Sequence, residues 1–399
     1  MKKLSLIAVV MLSVAVFQSC NEPLVNEPTS DELSLKSADG KKSYIVVLKD
    51  AELETELDAV KGYEAKQGKA KSAAEKIMKR AGITDGELGF VYGSAIKGFS
   101  VKIAPGQLKK LQDDPSVSYI EEDQIVTLIQ PELRINARPV KPTPTPPAQT
   151  TPWGITRVNG GVSGVGKTAW IIDTGIDLDH PDLTVNTALG KSFVVGITSP
   201  DDDNGHGSHC AGIVGAKNNT VGVIGVAAGA TLVPVKVLNK RGSGTYDAII
   251  AGVNYVAAAG TPGDVANMSL GGGFSQALND AVIAAAATGI KFALAAGNES
   301  TSATLKSPAS ANGANIYTIS AMASGDLWAS YSNYGNPPVD FCEPGSSIYS
   351  TYKSGGYATL SGTSMAAPHA AGLLLLGSIR SGGTVSGDPD GTADTIGIH

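Results

Sequence analysis

The sequence predicts an α/β fold: a mostly parallel sheet with helices on both faces, preceded by a small α+β domain. Three observations carry this. From residue 153 onward, short apolar runs alternate with helical stretches, and the runs are apolar on both sides, as strands covered on two faces are. The same region is rich in Gly and Ala and poor in charge. Ahead of it, a proline-rich segment at 128–152 separates it from a charged, differently patterned segment at 42–127. A length of 399 residues accommodates two or three domains at roughly 100–200 residues each, and 42% hydrophobic content supplies a core.

In order, Tyr44–Leu48 reads as a strand from its β-branched run. Residues 51–81, rich in Ala, Glu and Lys, predict a charged helix interrupted at Gly62 and Gly68. Phe90–Tyr92 and Gly98–Ile103 are further strands, Pro105–Asp113 a short helix opening on proline, and Val117–Ile120 the last strand of this domain. Pro142, Pro144, Pro146 and Pro147 mark 128–152 as a linker of extended, polyproline character that builds no core. In 153–399, strands are expected at Thr168–Ile172, Thr231–Leu238, Val265–Leu270, Lys291–Ala295 and Ile316–Ser320. Helices are expected at His206–Gly215, Tyr246–Ala259, Ser275–Thr288 and Ser364–Ser378. Functional residues then belong at the carboxyl ends of the strands.

Residues 1–20 form an export signal: Met1-Lys2-Lys3, an apolar run from Leu4 to Phe17, then Ser19-Cys20. Ser19 before Cys20 fits a lipoprotein signal, although Phe17 and Gln18 depart from the usual pattern. Ordinary cleavage nearby, with Cys20 removed or left bare, is the alternative. A polar leash follows at 21–41. A membrane is thus expected as a partner only through a lipid anchor, and the location is the cell envelope or the exterior. Residues 41–127 carry 14 basic and 14 acidic side chains, whereas 151–399 carry 11 and 17, so the net charge of −6 lies in the second segment. That acidity argues against nucleic acid as a partner. Three cysteines make no disulfide framework, and Cys210 and Cys342 are expected as free thiols.

Three segments put a reactive residue beside glycines at the mouth of a regular element: Trp170-Ile171-Ile172-Asp173-Thr174-Gly175, Asn204-Gly205-His206-Gly207-Ser208-His209-Cys210, and Ser361-Gly362-Thr363-Ser364-Met365-Ala366-Ala367-Pro368-His369. A serine hydroxyl is a poor nucleophile until an imidazole takes its proton, and the imidazole needs an acid to fix its tautomer. Asp173, His206 and Ser364 supply these three roles. Taken singly, Asp-Thr-Gly is a weak motif. His209 stands three residues after His206 rather than four, which speaks against a zinc helix. His180 reads as a turn residue and His369 as helix packing. Asp201-Asp202-Asp203 read as capping acids for the helix that follows.

The three segments, in the order Asp, His, Ser, resemble the subtilase (subtilisin-like) family, and the proteinase K-like branch in particular, in which a cysteine follows the second histidine as Cys210 does here. Val235–Leu238, Asn267–Gly272 and Tyr331–Gly335 extend the resemblance over nearly all of 153–380. It implies a serine endopeptidase acting on polypeptides, with Asp173 orienting, His206 as base and acid, and Ser364 attacking. Asn298 and the Ser364 amide would form the oxyanion hole. Gly242, Ser243, Gly244 and Ser269, Leu270, Gly271 would be the two strands that clamp a peptide. Ala295, Ala296 and Gly297 would line a small neutral pocket with no acid evident, hence a broad apolar or aromatic preference. No cofactor is implied for catalysis. A structural calcium ion is, at Asp340 with the carbonyls of Ala314 and Ile316. Gly98–Val101 and Val117–Asp123 make 42–127 similar to the family's propeptide, a folding chaperone and intramolecular inhibitor removed by self-cleavage somewhere between 124 and 152. The enzyme is expected to be a monomer. Only 35 residues follow Ser364, so the family's final strands are expected to be reduced.

Overall fold

The computed structural model describes residues 40–49, 53, 55–57, 59–128, 133–134 and 146–399. These fall in one compact unit. The expected signal at 1–20 lies outside the described residues, as does the leash at 21–41 apart from its last two positions.

The amino-terminal domain is a four-stranded antiparallel sheet with a helix packed on it. Its elements are β1 (Lys42–Leu48), α1 (Tyr63–Arg80), β2 (Glu87–Gly93), β3 (Lys97–Ile103), α2 (Leu108–Gln112) and β4 (Val117–Glu122), with strand order β2-β3-β1-β4. Tyr44, Val46 and Leu48 of β1 meet Ala74, Ile77 and Met78 of α1 in a closed apolar cluster. Gly62, at φ +86°, stands where α1 begins, as expected. Gly68 does not interrupt the helix. A glycine costs only about 1 kcal/mol there, and the Ala/Lys/Glu-rich turns around it carry the helix through.

Two further strands follow the one expected to be the domain's last. β5 (Ile125–Thr127) follows β4 directly, and β6 (Leu133–Arg134) lies inside the segment read as a structureless linker. Both pair with strands far along the chain, which no local pattern reveals. The linker's end is structured too: Ala148 and Thr150 form bridges to Val221 and Val223.

The second domain follows the expected alternation. Its elements are β7 (Thr168–Asp173), α3 (His206–Gly215), β8 (Thr231–Lys236), β9 (Ser243–Thr245), α4 (Tyr246–Ala259), β10 (Val265–Met268), α5 (Gln276–Ala286), β11 (Lys291–Ala295), β12 (Ile316–Ala323), β13 (Val339–Pro344), β14 (Ile348–Tyr352), β15 (Gly356–Leu360), α6 (Thr363–Leu376), β16 (Arg380–Thr384) and β17 (Thr395–Ile398). The central order is β8-β7-β10-β11-β12-β13-β17-β16, parallel throughout except for the β17–β16 edge. β17 extends the main sheet beside β13, and β16 pairs with it at the edge.

Helices cover both faces, which is why the strands are apolar on both sides: one core joins Trp170, Ile172 and Val235 to α4 and α5, the other joins Ala169, Ile171 and Leu232 to α3 and α6. Chain order reverses at β7, whose neighbours are β8 on one side and β10 on the other. Such a switch point opens a crevice at the strand's carboxyl end, and Asp173 is the last residue of β7.

Candidate active site

Asp173 and His206 are both fully buried. The imidazole Nδ1 lies 2.8 Å from Asp173 Oδ1 and 3.0 Å from Oδ2, and the Thr174 amide donates to Oδ1. The carboxylate accepts from Nδ1–H, which keeps the proton on Nδ1 and leaves Nε2 as the basic end. Nε2 is buried without a partner. Burial works most strongly against the imidazolium, but the charge and hydrogen bond of Asp173, together with the adjacent Cys210, outweigh it and hold the pKa well above its ordinary value. Gly207 permits the approach, since a Cβ there would sit 2.1 Å from the Gly175 carbonyl oxygen.

The start of α3 is fixed by Asp202. Its Oδ1 accepts from the Asn204 and Gly205 amides and the Thr174 hydroxyl, and its Oδ2 from the Ser208 amide and hydroxyl. Of the three acids read as caps, Asp202 therefore does this work. Asp203 pairs with the buried Lys236 at 2.7 Å, and Asp201 accepts from the Leu178 amide. His209 donates to the Ile348 and Ala358 carbonyls, His369 to the Met365 carbonyl and His180 to the Gly356 carbonyl, all packing roles.

Ser364 is the second residue of α6, which starts from Gly362 at φ +146°. Pro368 stands four residues on. It has no N–H, so the Ser364 carbonyl loses its helical partner. Two side chains replace it: Ser269 Oγ at 2.8 Å and Cys210 Sγ at 3.4 Å. The backbone of Ser364 is thus pinned at once from the residue after β10 and from α3. Its hydroxyl donates to the Ser269 carbonyl at 3.0 Å. In unliganded enzymes such hydroxyls often rest away from the base. Asn298 Oδ1 accepts from the Thr363 amide at 2.8 Å and the Thr363 hydroxyl at 2.9 Å, and Asn298 lines one pocket with Ser364.

Among the described residues, Asp173, His206 and Cys210 also have ligand atoms within 4.8 Å of one another. The thiol is no metal ligand in this state. Burial pushes its pKa up, and it donates to a carbonyl. Cys210 and Cys342 are both free and buried, as expected.

The pocket brings together Leu270, Gly271, Ala295, Ala296, Gly297, Asn298 and Ser364 from the expected set. Ser269 sits beneath it, holding Ser364. Gly242, Ser243 and Gly244 form the facing edge at β9. An acid is present after all, contrary to the sequence expectation. Glu299 lines the pocket, neutralised by Lys306 Nζ at 2.8 Å and held by Asn333 Nδ2 at 2.8 Å. Glu299 directly follows Asn298, so its place was legible; its pairing with Lys306 was not. The polarity is therefore balanced and the small residues set the pocket's character.

The cleft is filled by the chain itself. β5 lies antiparallel to β9, with Val126 opposite Gly244, and the Leu128 amide donates to the Gly242 carbonyl. Val126 is fully buried beside Gly272, and Leu128 lines the pocket with Ser364. The amino-terminal domain rests on the helices that follow. Glu121 Oε2 accepts from the Ala277 amide in the first turn of α5, and Asp123 Oδ1 from the Asp247 amide in the first turn of α4, where helix dipoles favour acids. Asn254 accepts from the Ser94 and Ala95 amides, and Tyr119 donates to Asp280.

The Asp173–His206 pair lies against Cys210, whose thiol contacts the Ser364 carbonyl, so an acid, an imidazole and a serine come together on a parallel α/β sheet, as they would in a serine peptidase. Residues 166–378 match the subtilase family, and residues 43–129 match the peptidase inhibitor I9 family. The chain is 38% identical over 313 residues to the alkaline serine exoprotease A of Vibrio alginolyticus, covering 76% of this chain and 55% of that protein. It is 34% identical over 384 residues to the extracellular serine proteinase of a Thermus species, covering 92% of this chain and 88% of that one. Among solved structures, a cold-adapted subtilisin-like serine proteinase aligns with a TM-score of 0.56 at 37% identity, over 61% of this chain and 96% of its own. The chain belongs to the subtilase family. It is a subtilisin-like serine endopeptidase carrying an I9 propeptide domain.

Proposed function

We propose that the protein is an exported zymogen that cuts itself free of its inhibitor domain and then hydrolyses polypeptides through Asp173, His206 and Ser364. The observation that carries this is the lie of residues 125–128, paired to β9 like a bound substrate with Leu128 at the Ser364 pocket. In the reaction, Ser364 Oγ gives its proton to His206 Nε2 and attacks the substrate carbonyl. Asp173 stabilises the imidazolium. Asn298 Nδ2 and the Ser364 amide hold the oxyanion. The leaving amine takes the proton from His206, and water then enters by the same route to release the acid. Catalysis needs no cofactor. The small pocket lining supports a broad apolar or aromatic preference, with Lys306 masking Glu299. Because His206 must be neutral to act as base, and its pKa lies above the ordinary 6.5, activity belongs to the alkaline side.

The register supports a cut within two residues after Leu128, where the I9 match also ends. Intact mass of the wild-type chain from Asn21 onward, after overnight incubation, tests this. Two fragments meeting just past Leu128 are expected. A junction near Trp153, or no cleavage, would refute it.

Asp123 gives the inhibition a pH dependence. Burial, and after it the charge of Asp247, push its carboxyl up to about 8. A raised folded-state value favours the complex while the group is protonated, so the contribution is full below the free carboxyl value near 4 and is lost as pH rises through about 8. The inhibition constant of the cut domain is expected to weaken by up to roughly tenfold per pH unit within that window. Asp123→Asn should remove most of the slope, and a slope unchanged in that variant would exclude Asp123 as its source.

Met1–Cys20 supports export, with lipid attached at Cys20, and the inhibitor domain would be the protein's own intramolecular partner. Asp340 fits a structural calcium ion. Its Oδ2 accepts from the Thr318 amide, burial pushes its carboxyl up, and an oxygen-seeking cation would relieve that burial. Among the described residues no helix is long and apolar enough to cross a membrane.

A further inference from the structure

The chain that enters the cleft along β9 leaves it along a second edge. β6 pairs antiparallel with β15, Leu133 opposite Leu360 and Arg134 opposite Thr359. β15 runs through Ser361 and Gly362 to Ser364, so Leu360 stands four residues ahead of the nucleophile. Leu128 lines the pocket with Ser364, and five residues later Leu133 is paired with Leu360. The described stretches 125–128 and 133–134 thus meet two separate edges, β9 and β15, the second continuous in sequence with Ser364.

Farther on, the chain is tied down again. The Gly222 amide donates to the Pro147 carbonyl at 2.7 Å, the Gln149 amide to Thr220, and the Thr150 amide to Gly222 at 2.8 Å. Gln149 Nε2 donates to the Lys217 carbonyl at 2.9 Å. These contacts, and covalent continuity into the helix Trp153–Arg157, belong to the catalytic domain and survive any cut near residue 129. The inhibitor domain loses its covalent tie on cleavage, whereas the segment after the cut does not.

We propose that residues 130–152 persist as the new amino-terminal arm of the mature enzyme, with β6 still on the β15 edge, where it competes with the departing half of incoming substrates. This rests on the reading that Ser364 cuts just after Leu128. A tethered strand acts at an effective concentration that a free peptide end does not reach, so even a short pairing holds the edge. The arm therefore selects against substrates that extend far past the scissile bond, and leaves alone those that end just beyond it.

The test compares the wild type with a Leu133→Pro/Arg134→Pro variant, in which neither residue retains an N–H to donate. Two substrates are used: a short peptide p-nitroanilide, and an internally quenched peptide extending four residues past the scissile bond. The variant is expected to gain roughly three- to tenfold in kcat/KM on the long substrate, what one or two hydrogen bonds are worth, through a lower KM, and to match the wild type on the short one. A chain lacking residues 130–145 serves the same comparison where the proline variant does not mature. Equal long-to-short ratios in wild type and variant, with intact mass showing the arm present, would overturn the proposal alone. A wild-type mass lacking the arm would overturn the cleavage reading and the proposal with it.

Discussion

Ser364→Ala is expected to leave the full chain uncut after overnight incubation, and to lower peptide turnover on the order of a millionfold, a magnitude taken from the related enzyme subtilisin. In the proposed mechanism the hydroxyl is the group that bonds to the substrate carbonyl, and among the described residues no activated thiol stands in its place. Cys210 is buried with its pKa raised and faces the Ser364 carbonyl. Alanine is a good helix former in the first turn of α6 and leaves the backbone contacts from Ser269 and Cys210 in place, so the melting temperature should barely move. Intact mass and a peptide assay read the two effects. His206→Ala should fall as far as Ser364→Ala, because base and nucleophile act as one unit. Self-cleavage at the wild-type rate in either variant would remove these residues from the chemistry.

Asn298→Ala is expected to cost about 10²–10³ in kcat with little change in KM, the loss of one oxyanion donor, again a magnitude measured in subtilisin. Alanine also removes the oxygen that accepts from the Thr363 amide and hydroxyl, one residue before the nucleophile. Asn298→Asp separates the two contributions. It keeps acceptors for Thr363 but offers no donor and adds charge where the oxyanion forms, so it should be at least as poor as alanine. A near-wild-type aspartate variant would assign Asn298 to anchoring Thr363 alone.

What was legible in the sequence was local. His206–Gly215, Tyr246–Ala259 and Lys291–Ala295 end where their apolar runs end, because those runs are buried and their boundaries are glycines and polar turns. Asp173, His206 and Ser364 stood out because each lies at the end of such an element. What was not legible was pairing at a distance. The proline-rich segment gave no sign of β6, whose partner β15 lies more than 200 residues away. β5 went unread as a strand because its pairing edge, β9, belongs to the other domain. Glu299 and Lys306 close their ion pair only across the folded turn between them. The contact of Cys210 with the Ser364 carbonyl could be sought only once Pro368, lacking an N–H, is seen to strip that carbonyl of its helical partner.

The claim that Ser364 is activated by the buried Asp173–His206 pair is tested most directly by treating the matured protein with a fluorophosphonate and mapping the adduct by mass. The account predicts one adduct per chain, on the peptide that carries Ser364, and none in His206→Ala. An adduct elsewhere, or an unmodified Ser364 in wild-type protein, would contradict it.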